Sequence, residues 1–181
     1  IKAYHEYLSS SAWTFEHQAL VRARIVTGSE DLRKRFENIR RSILCQRRES
    51  ASLQKALRDM RQRMQQHHSR TSKPGFDLKH GRGGLIDIEF LCQYLVLRFA
   101  QQNPALTKYR SNLEIISELE TSGKIPGEDA ETLSRTLRLY LAKDNELKLG
   151  RRQAHLPAQA FRPEREAVSK LWQQYLESNS P

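Results

Sequence analysis

The sequence predicts an all-α protein, an up-and-down helical bundle with additional helices. Three observations carry that expectation: apolar residues recur at three- and four-residue spacing from end to end, strand-like alternation is almost absent, and the composition is polar for a folded domain. Its 38% hydrophobic and 29% charged residues, with a mean hydropathy of −0.74, suit long helices that each bury one stripe and expose the rest. At 181 residues the chain is long enough for one domain with a core and short for two, so residues 1–181 are read as one helical domain.

Taken in order, Ile1 to Leu8 is already in helical period with no capping residue ahead of it, as in a piece of a longer protein. Ser9-Ser10-Ser11 interrupts the pattern, and a helix is predicted from Trp13 to Val26, with Gly28 as its closing residue. Ser29-Glu30-Asp31 is a capping pattern for a helix with Leu32, Phe36, Ile39 and Ile43 on one face. The next helix carries Leu53, Leu57, Met60 and Met64. From His67 to Gly84 the composition shifts to Ser, Lys, Pro and Gly, which predicts a long connection.

The following helix, Leu85 to Gln101, is the most apolar and is predicted to be central, with Leu85, Ile88, Cys92, Leu95 and Phe99 on one stripe and Asn103-Pro104 ending it. A short helix with Leu113, Ile116 and Leu119 stops at Gly123. A long one runs from Gly127 to Leu149 with Leu133, Leu137, Tyr140, Leu141 and Leu147 inward. Pro163 suits the first turn of a last helix holding Val168, Leu171, Trp172, Tyr175 and Leu176, and the tail Ser178 to Pro181 is expected to fray.

No apolar run approaches the roughly 18 residues that span a bilayer, and no leader pattern stands at the start, so no membrane partner and a cytoplasmic location are expected. Cys45 and Cys92 are isolated and read as reduced thiols. The net charge of +10 is concentrated: residues 1–75 hold 16 Lys and Arg against 7 Asp and Glu, whereas the remainder is nearly balanced. Such asymmetry suits nucleic acid, an acidic partner protein or an acidic neighbouring domain. The runs Arg33-Lys34-Arg35, Arg40-Arg41 and Arg47-Arg48 read as a solvated helix face. No aromatic residues interleave with them as single-strand binding requires, so nucleic acid is the weaker partner class.

The chemistry-bearing stretch is Phe76 to Phe90. Gly81-Arg82-Gly83-Gly84 opens the apolar helix, and with Lys79 and Arg82 beside its first amides it has the makings of an anion cradle. It matches neither the P-loop nor the dinucleotide spacing. The alternative, which spacing alone favours, is that the glycines permit positive φ and close packing. Asp87, near the third helical position, is placed to accept from first-turn amides. Glu89 falls at the border of the apolar stripe, so partial burial and an ion pair with Arg22, Arg24 or Lys79 are expected in preference to a catalytic role. In a helix Asp87 and Glu89 point about 200° apart and cannot share one metal ion. Gly28-Ser29-Glu30-Asp31 is explained by a helix cap and lacks the strand setting of a nucleotidyltransferase loop. His67-His68 diverge, no zinc-ligand spacing exists, and His17 reads as structural, on a face with Trp13, Leu20 and Arg24.

Two blocks carry a family resemblance: Ala12-Trp13-Thr14-Phe15-Glu16-His17-Gln18-Ala19-Leu20-Val21-Arg22-Ala23-Arg24, and Phe76 to Phe90 continuing through Gln93 to Arg98. With the closing segment Phe161-x-x-Glu164-Arg165 to Trp172, these resemble, in order, the C-terminal adenylylating half of the bifunctional glutamine synthetase adenylyltransferase/adenylyl-removing enzymes. The resemblance implies a bundle of the kind that follows a nucleotidyltransferase palm domain, with residues 1–28 linking to that domain and 29–178 forming the bundle. It implies Trp13, Glu16, His17, Arg22 and Arg24 at the palm joint, and Lys79, Gly83, Gly84, Asp87 and Glu89 at the nucleotide or substrate cleft. It places the catalytic carboxylates, Mg2+ and ATP with the parent enzyme, leaving neither catalytic nor metal-binding residues here. The implied partners are glutamine synthetase, the PII signal protein and the upstream transferase domain. The competing reading is a stand-alone basic helical module that binds nucleic acid or an acidic protein.

Overall fold

The computed structural model describes residues 1–69, 75–108 and 111–178. Its elements are α1 (Lys2–Ser10), α2 (Thr14–Leu20), α3 (Glu30–Leu44), α4 (Ser50–Ser69), β1 (Phe76–Asp77), α5 (Leu85–Phe99), a 3-10 turn (Pro104–Thr107), α6 (Asn112–Thr121), α7 (Gly127–Leu149), β2 (His155–Leu156) and α8 (Arg162–Trp172), which a π turn extends over Gln173–Glu177. The fold is all-α, as the periodicity predicts. The pairing of Phe76 with Leu156 and Asp77 with His155 is a two-residue ladder, too short to leave an alternating signal in sequence. Parts of the expected His67–Gly84 connection and of the expected frayed tail, residues 70–74 and 179–181, lie outside the described residues.

Helix α5 is the hub and packs on α2, α4, α6, α7 and α8. Phe90 to Leu97 is buried without interruption, so this helix is apolar all round and not only along a stripe. Ile116, Leu119, Leu133, Leu137, Val168 and Leu176 from the later elements, and Leu20, Leu53 and Leu57 from the earlier ones, belong to the same buried core. The Cys92 thiol sits in this core, and burial pushes it up to about 12, which makes it an inert hydrophobe. Among the described residues no helix is long and apolar enough to cross a membrane.

Helix termini follow local chemistry. Ser29 accepts from the Leu32 amide at 3.2 Å, the predicted cap. Ser111 and Glu114 form a reciprocal capping box, and Pro163 lies in the first turn of α8. Two differences are informative. Leu141 is exposed where the α7 pattern predicts it inward. Helix α2 stops at Leu20 instead of continuing to Val26, because the Leu20 and Val21 carbonyls accept from the Arg40 guanidinium, each at 2.6 Å. Arg24 therefore does not share a helical face with Trp13 and His17. Gly28 closes no helix; it is a bend residue at positive φ, +144°.

Candidate functional site

The glycine turn is held from inside. The Asp87 carboxylate is buried, with one oxygen 2.6 Å from Arg61 Nε and the other accepting from the Gly83 amide at 2.6 Å. Arg61 is also buried, and its Nη2 donates to the His80 carbonyl at 2.8 Å. From the far side the Tyr140 hydroxyl donates to the Gly83 carbonyl at 2.9 Å, and burial raises that phenol above its ordinary range. Gly83, at φ +75°, lies so close to α8 that a β-carbon would meet the Arg165 carbonyl at 2.4 Å, and one at Gly84 would meet the Leu78 carbonyl at 2.7 Å. These two glycines are required for backbone approach.

The anion-cradle reading needs free amides at the start of α5, and they are taken. The Gly84, Leu85 and Ile86 amides donate to the carbonyls of Gly81, Leu78 and Lys79 at 3.0–3.1 Å. Asp77 accepts from the Lys79 and His80 amides at 2.8 and 2.9 Å. The turn is thus a structural latch, and the close-packing alternative describes it. Asp87 reaches back as predicted, but past the first turn, to the amide of Gly83 ahead of the Gly84 cap. Its burial and its Arg61 partner on α4 were not legible, because the two lie 26 positions apart.

Glu89 is partly buried and paired, as its position on the stripe predicts. It meets Arg22 at 3.3 Å with the two side chains 36% and 42% exposed, so the anticipated pair forms at the rim and not in the core. Such pairs contribute little. Glu89→Ala is expected to cost about 0.5 kcal/mol, measured by urea unfolding, instead of the 3–5 kcal/mol of a buried pair. A loss above about 2 kcal/mol would show the carboxylate to be sequestered.

Arg22, Lys79 and Glu89 do come together. They line a hollow of about 420 Å³ between α5, α6 and α7, with Leu85, Ile86, Leu113, Leu137 and Leu141 as its apolar floor. Buried Asp144 joins its rim, 3.6 Å from Lys79 and 2.6 Å from Lys148. Sequence reading missed Asp144, Lys148 and the exposed Leu141, since all three look like ordinary surface or core positions of α7. Gly83, Gly84 and Asp87 lie behind this hollow, inside the latch.

The other predicted cluster sits at the start of α2. Trp13 is 64% exposed and Phe15 43%, with the rings edge to face at 6.1 Å. Glu16 accepts from the Trp13 amide at 2.9 Å and from the Tyr7 hydroxyl at 2.6 Å, and the Tyr7 bond in particular holds it below the usual carboxylate range. His17 is structural: its Nε2 is 2.8 Å from the Leu8 carbonyl, so Nε2 carries the proton, while Nδ1 faces Arg48 at 3.3 Å. Burial, reinforced by the Arg48 charge, lowers its pKa despite the hydrogen bond to Leu8.

A histidine depressed below 6.5 binds protons more readily unfolded, so it supports the fold fully above that value and loses this contribution as pH falls through the lower folded value. Stability is therefore expected to decline from about pH 6.5 downward, with a shallower slope in His17→Gln. Equal slopes in urea titrations between pH 5 and 7 would count against this. The basic run divides in the same region. Arg40 is only 1% exposed, and Arg48 donates to the Ile43, Leu44 and Gln46 carbonyls that end α3, with burial lowering it to about 10. Neither belongs to a solvated face, as the sequence pattern had implied.

The described residues thus form a helical domain in which the acids of the signature are committed to arginines and amides. Two family models match the chain: residues 51–175 match the GlnD PII-uridylyltransferase model, and residues 1–39 match the glutamate-ammonia ligase adenylyltransferase model. Both families are related to nucleotidyltransferases, the class the resemblance anticipates. The first match covers more than half of the 181 residues, and the chain belongs to the GlnD PII-uridylyltransferase family. The larger match is therefore to a different enzyme from the glutamine synthetase adenylyltransferase the motifs resemble, and the adenylyltransferase match is confined to the N-terminal segment.

Proposed function

We propose that this chain is the helical, non-catalytic part of a nucleotidyltransferase that adenylylates and deadenylylates glutamine synthetase to regulate nitrogen assimilation. The observation that carries this is the adenylyltransferase match over residues 1–39, which contains the exposed Trp13–Phe15 pair and the Glu16 cap. Paired aromatics on a free surface suit a joint to another domain. In this reading Trp13, Glu16, His17, Arg22 and Arg24 lie at or behind the seam with an upstream transferase domain, which supplies the metal-binding carboxylates. Two-metal transfer needs converging carboxylates, whereas Asp87 is saturated by Arg61 and Gly83 and Glu89 faces Arg22 on another side of α5.

The α5–α7 hollow, with an apolar floor and a rim of both signs, suits docking of a protein segment or nucleotide beside the transfer site. Lys79 and Arg22 orient the incoming anion there, and the cytoplasmic partners are glutamine synthetase and PII. The match over residues 51–175 favours a second reading, uridylyl transfer to PII. Labelling decides between them. The intact enzyme carrying this chain is expected to transfer AMP from ATP to glutamine synthetase and not UMP from UTP to PII. Arg22→Ala and Lys79→Ala are expected to raise the KM for one substrate by about tenfold, the loss of one charge-assisted contact. Unchanged KM in both variants, or AMP transfer by this chain without a transferase domain, would overturn the proposal.

A further inference from the structure

The latch orders the glycine turn at the expense of burying an ion pair, and the side chain it displays is Arg82. Gly81 donates to the Asp77 carbonyl at 2.8 Å and packs so closely on it that a β-carbon there would meet it at 2.5 Å. Gly83 is fixed by Asp87, Tyr140 and the Arg165 backbone. Arg82 between them is exposed and makes no hydrogen bond or ion pair among the described residues. It stands where two depressions meet: one of about 430 Å³ toward α4 and the π turn, and one of about 650 Å³ along α8, which share Arg82 and Ser169.

Charge in these depressions is unevenly matched. Asp59 is bound to Lys55 at 2.8 Å, Glu166 to Arg162 at 2.9 Å, and Asp87 to Arg61. Glu177 stands at the outer rim. Against these, Arg82 and Lys170 have no anionic partner among the described residues, and Arg58 donates only to the neutral Leu176 carbonyl. Beneath the floor, buried Arg61 leaves Nη1 without a hydrogen-bond partner, although the residue is only 2% exposed. The walls supply neutral donors, Ser169, Gln62 and Gln65, and Trp172 is the one large apolar side chain.

We infer that the depression around Arg82 binds a small phosphate-bearing polyanion. The guanidinium fork matches phosphate oxygens, and the backbone that carries it is fixed on both sides before any ligand arrives. The volume is that of a small-molecule site. An acidic peptide would need apolar anchor pockets, which these walls lack. The site is separate from the α5–α7 hollow and independent of the reading proposed for it.

The test is isothermal titration of the 181-residue chain at low salt with inorganic tripolyphosphate, with ATP, and with a glutamate-only peptide. Tripolyphosphate is expected to bind, with affinity falling about tenfold in Arg82→Gln and less than about twofold in Arg33→Gln, which changes net charge equally at a distance. Arg58→Gln is expected to weaken it as well. Equal affinity for ATP and tripolyphosphate would assign the site to phosphate alone, and tighter ATP binding to a nucleotide; both support the inference. It is overturned if Arg82→Gln binds as the parent does, if Arg33→Gln loses as much, or if only the peptide binds. Thermal unfolding, expected unchanged for the exposed Arg82 and Arg33 and lowered for Arg58, which holds the Leu176 carbonyl, separates lost binding from lost fold.

Discussion

Asp87→Ala is expected to lower the stability of this chain by about 3–5 kcal/mol in urea unfolding, the cost of breaking one half of a buried ion pair. The carboxylate has two duties, neutralising Arg61 at 2.6 Å and accepting from Gly83 at 2.6 Å. Its removal strands a guanidinium that is 2% exposed together with a buried amide. Asp87→Asn keeps the shape and one acceptor, and should fall between wild type and alanine. Replacing both partners, Asp87→Ala with Arg61→Met, is expected to recover part of the loss, since the unpaired charge goes with the arginine. Recovery stays incomplete because the His80 carbonyl and the Gly83 amide remain without their partners. A loss below about 1 kcal/mol for Asp87→Ala would mean that water reaches the pair and that the turn is not latched from within.

That result bears on what the sequence discloses. The helices were legible because burial imposes a 3.6-residue period on α3 to α8. The limits of α7 at Gly127 and Leu149 follow from Pro126 before it and Gly150 after it. Local chemistry was legible as well: Ser29 as a cap, Asp87 as an acceptor that reaches back to the start of its helix, Arg22 as one of three candidate partners of Glu89. What escaped is every decision made by contacts distant in sequence. Spacing assigns partial burial to Glu89 and only a capping role to Asp87, yet Arg61, on the inner face of α4, draws Asp87 inward. The hollow that gathers Arg22, Lys79 and Glu89 depends on α7 delivering Asp144 and Lys148, which no local pattern announces. The end of α2 is the same kind of case, set by an arginine twenty residues away.

Arg40→Met is expected to cost about 4 kcal/mol, comparable to Asp87→Ala, from a position the sequence pattern assigns to solvent. The guanidinium is 1% exposed. It donates to the Leu20 and Val21 carbonyls at 2.6 Å each, to the Thr107 carbonyl, and to Glu37 at 3.2 Å. Methionine keeps the apolar stem and removes every donor, leaving the Val21 and Thr107 carbonyls without theirs at about 1–3 kcal/mol apiece before relaxation, and the Leu20 carbonyl with the Ala23 amide at 3.2 Å. Because those carbonyls belong to the end of α2 and the turn after α5, the loss should loosen both, and amides of residues 21–28 and 105–108 should exchange faster in hydrogen-exchange measurements. Arg40→Lys retains the charge, but an ammonium cannot span three diverging acceptors, so about half of the loss is expected to remain. Arg47→Met, at an exposed position of the same basic run, should change stability by less than about 0.5 kcal/mol. If Arg40→Met and Arg47→Met were equally mild, the arginine would be a surface charge after all, and α2 would have no tertiary reason to stop at Leu20.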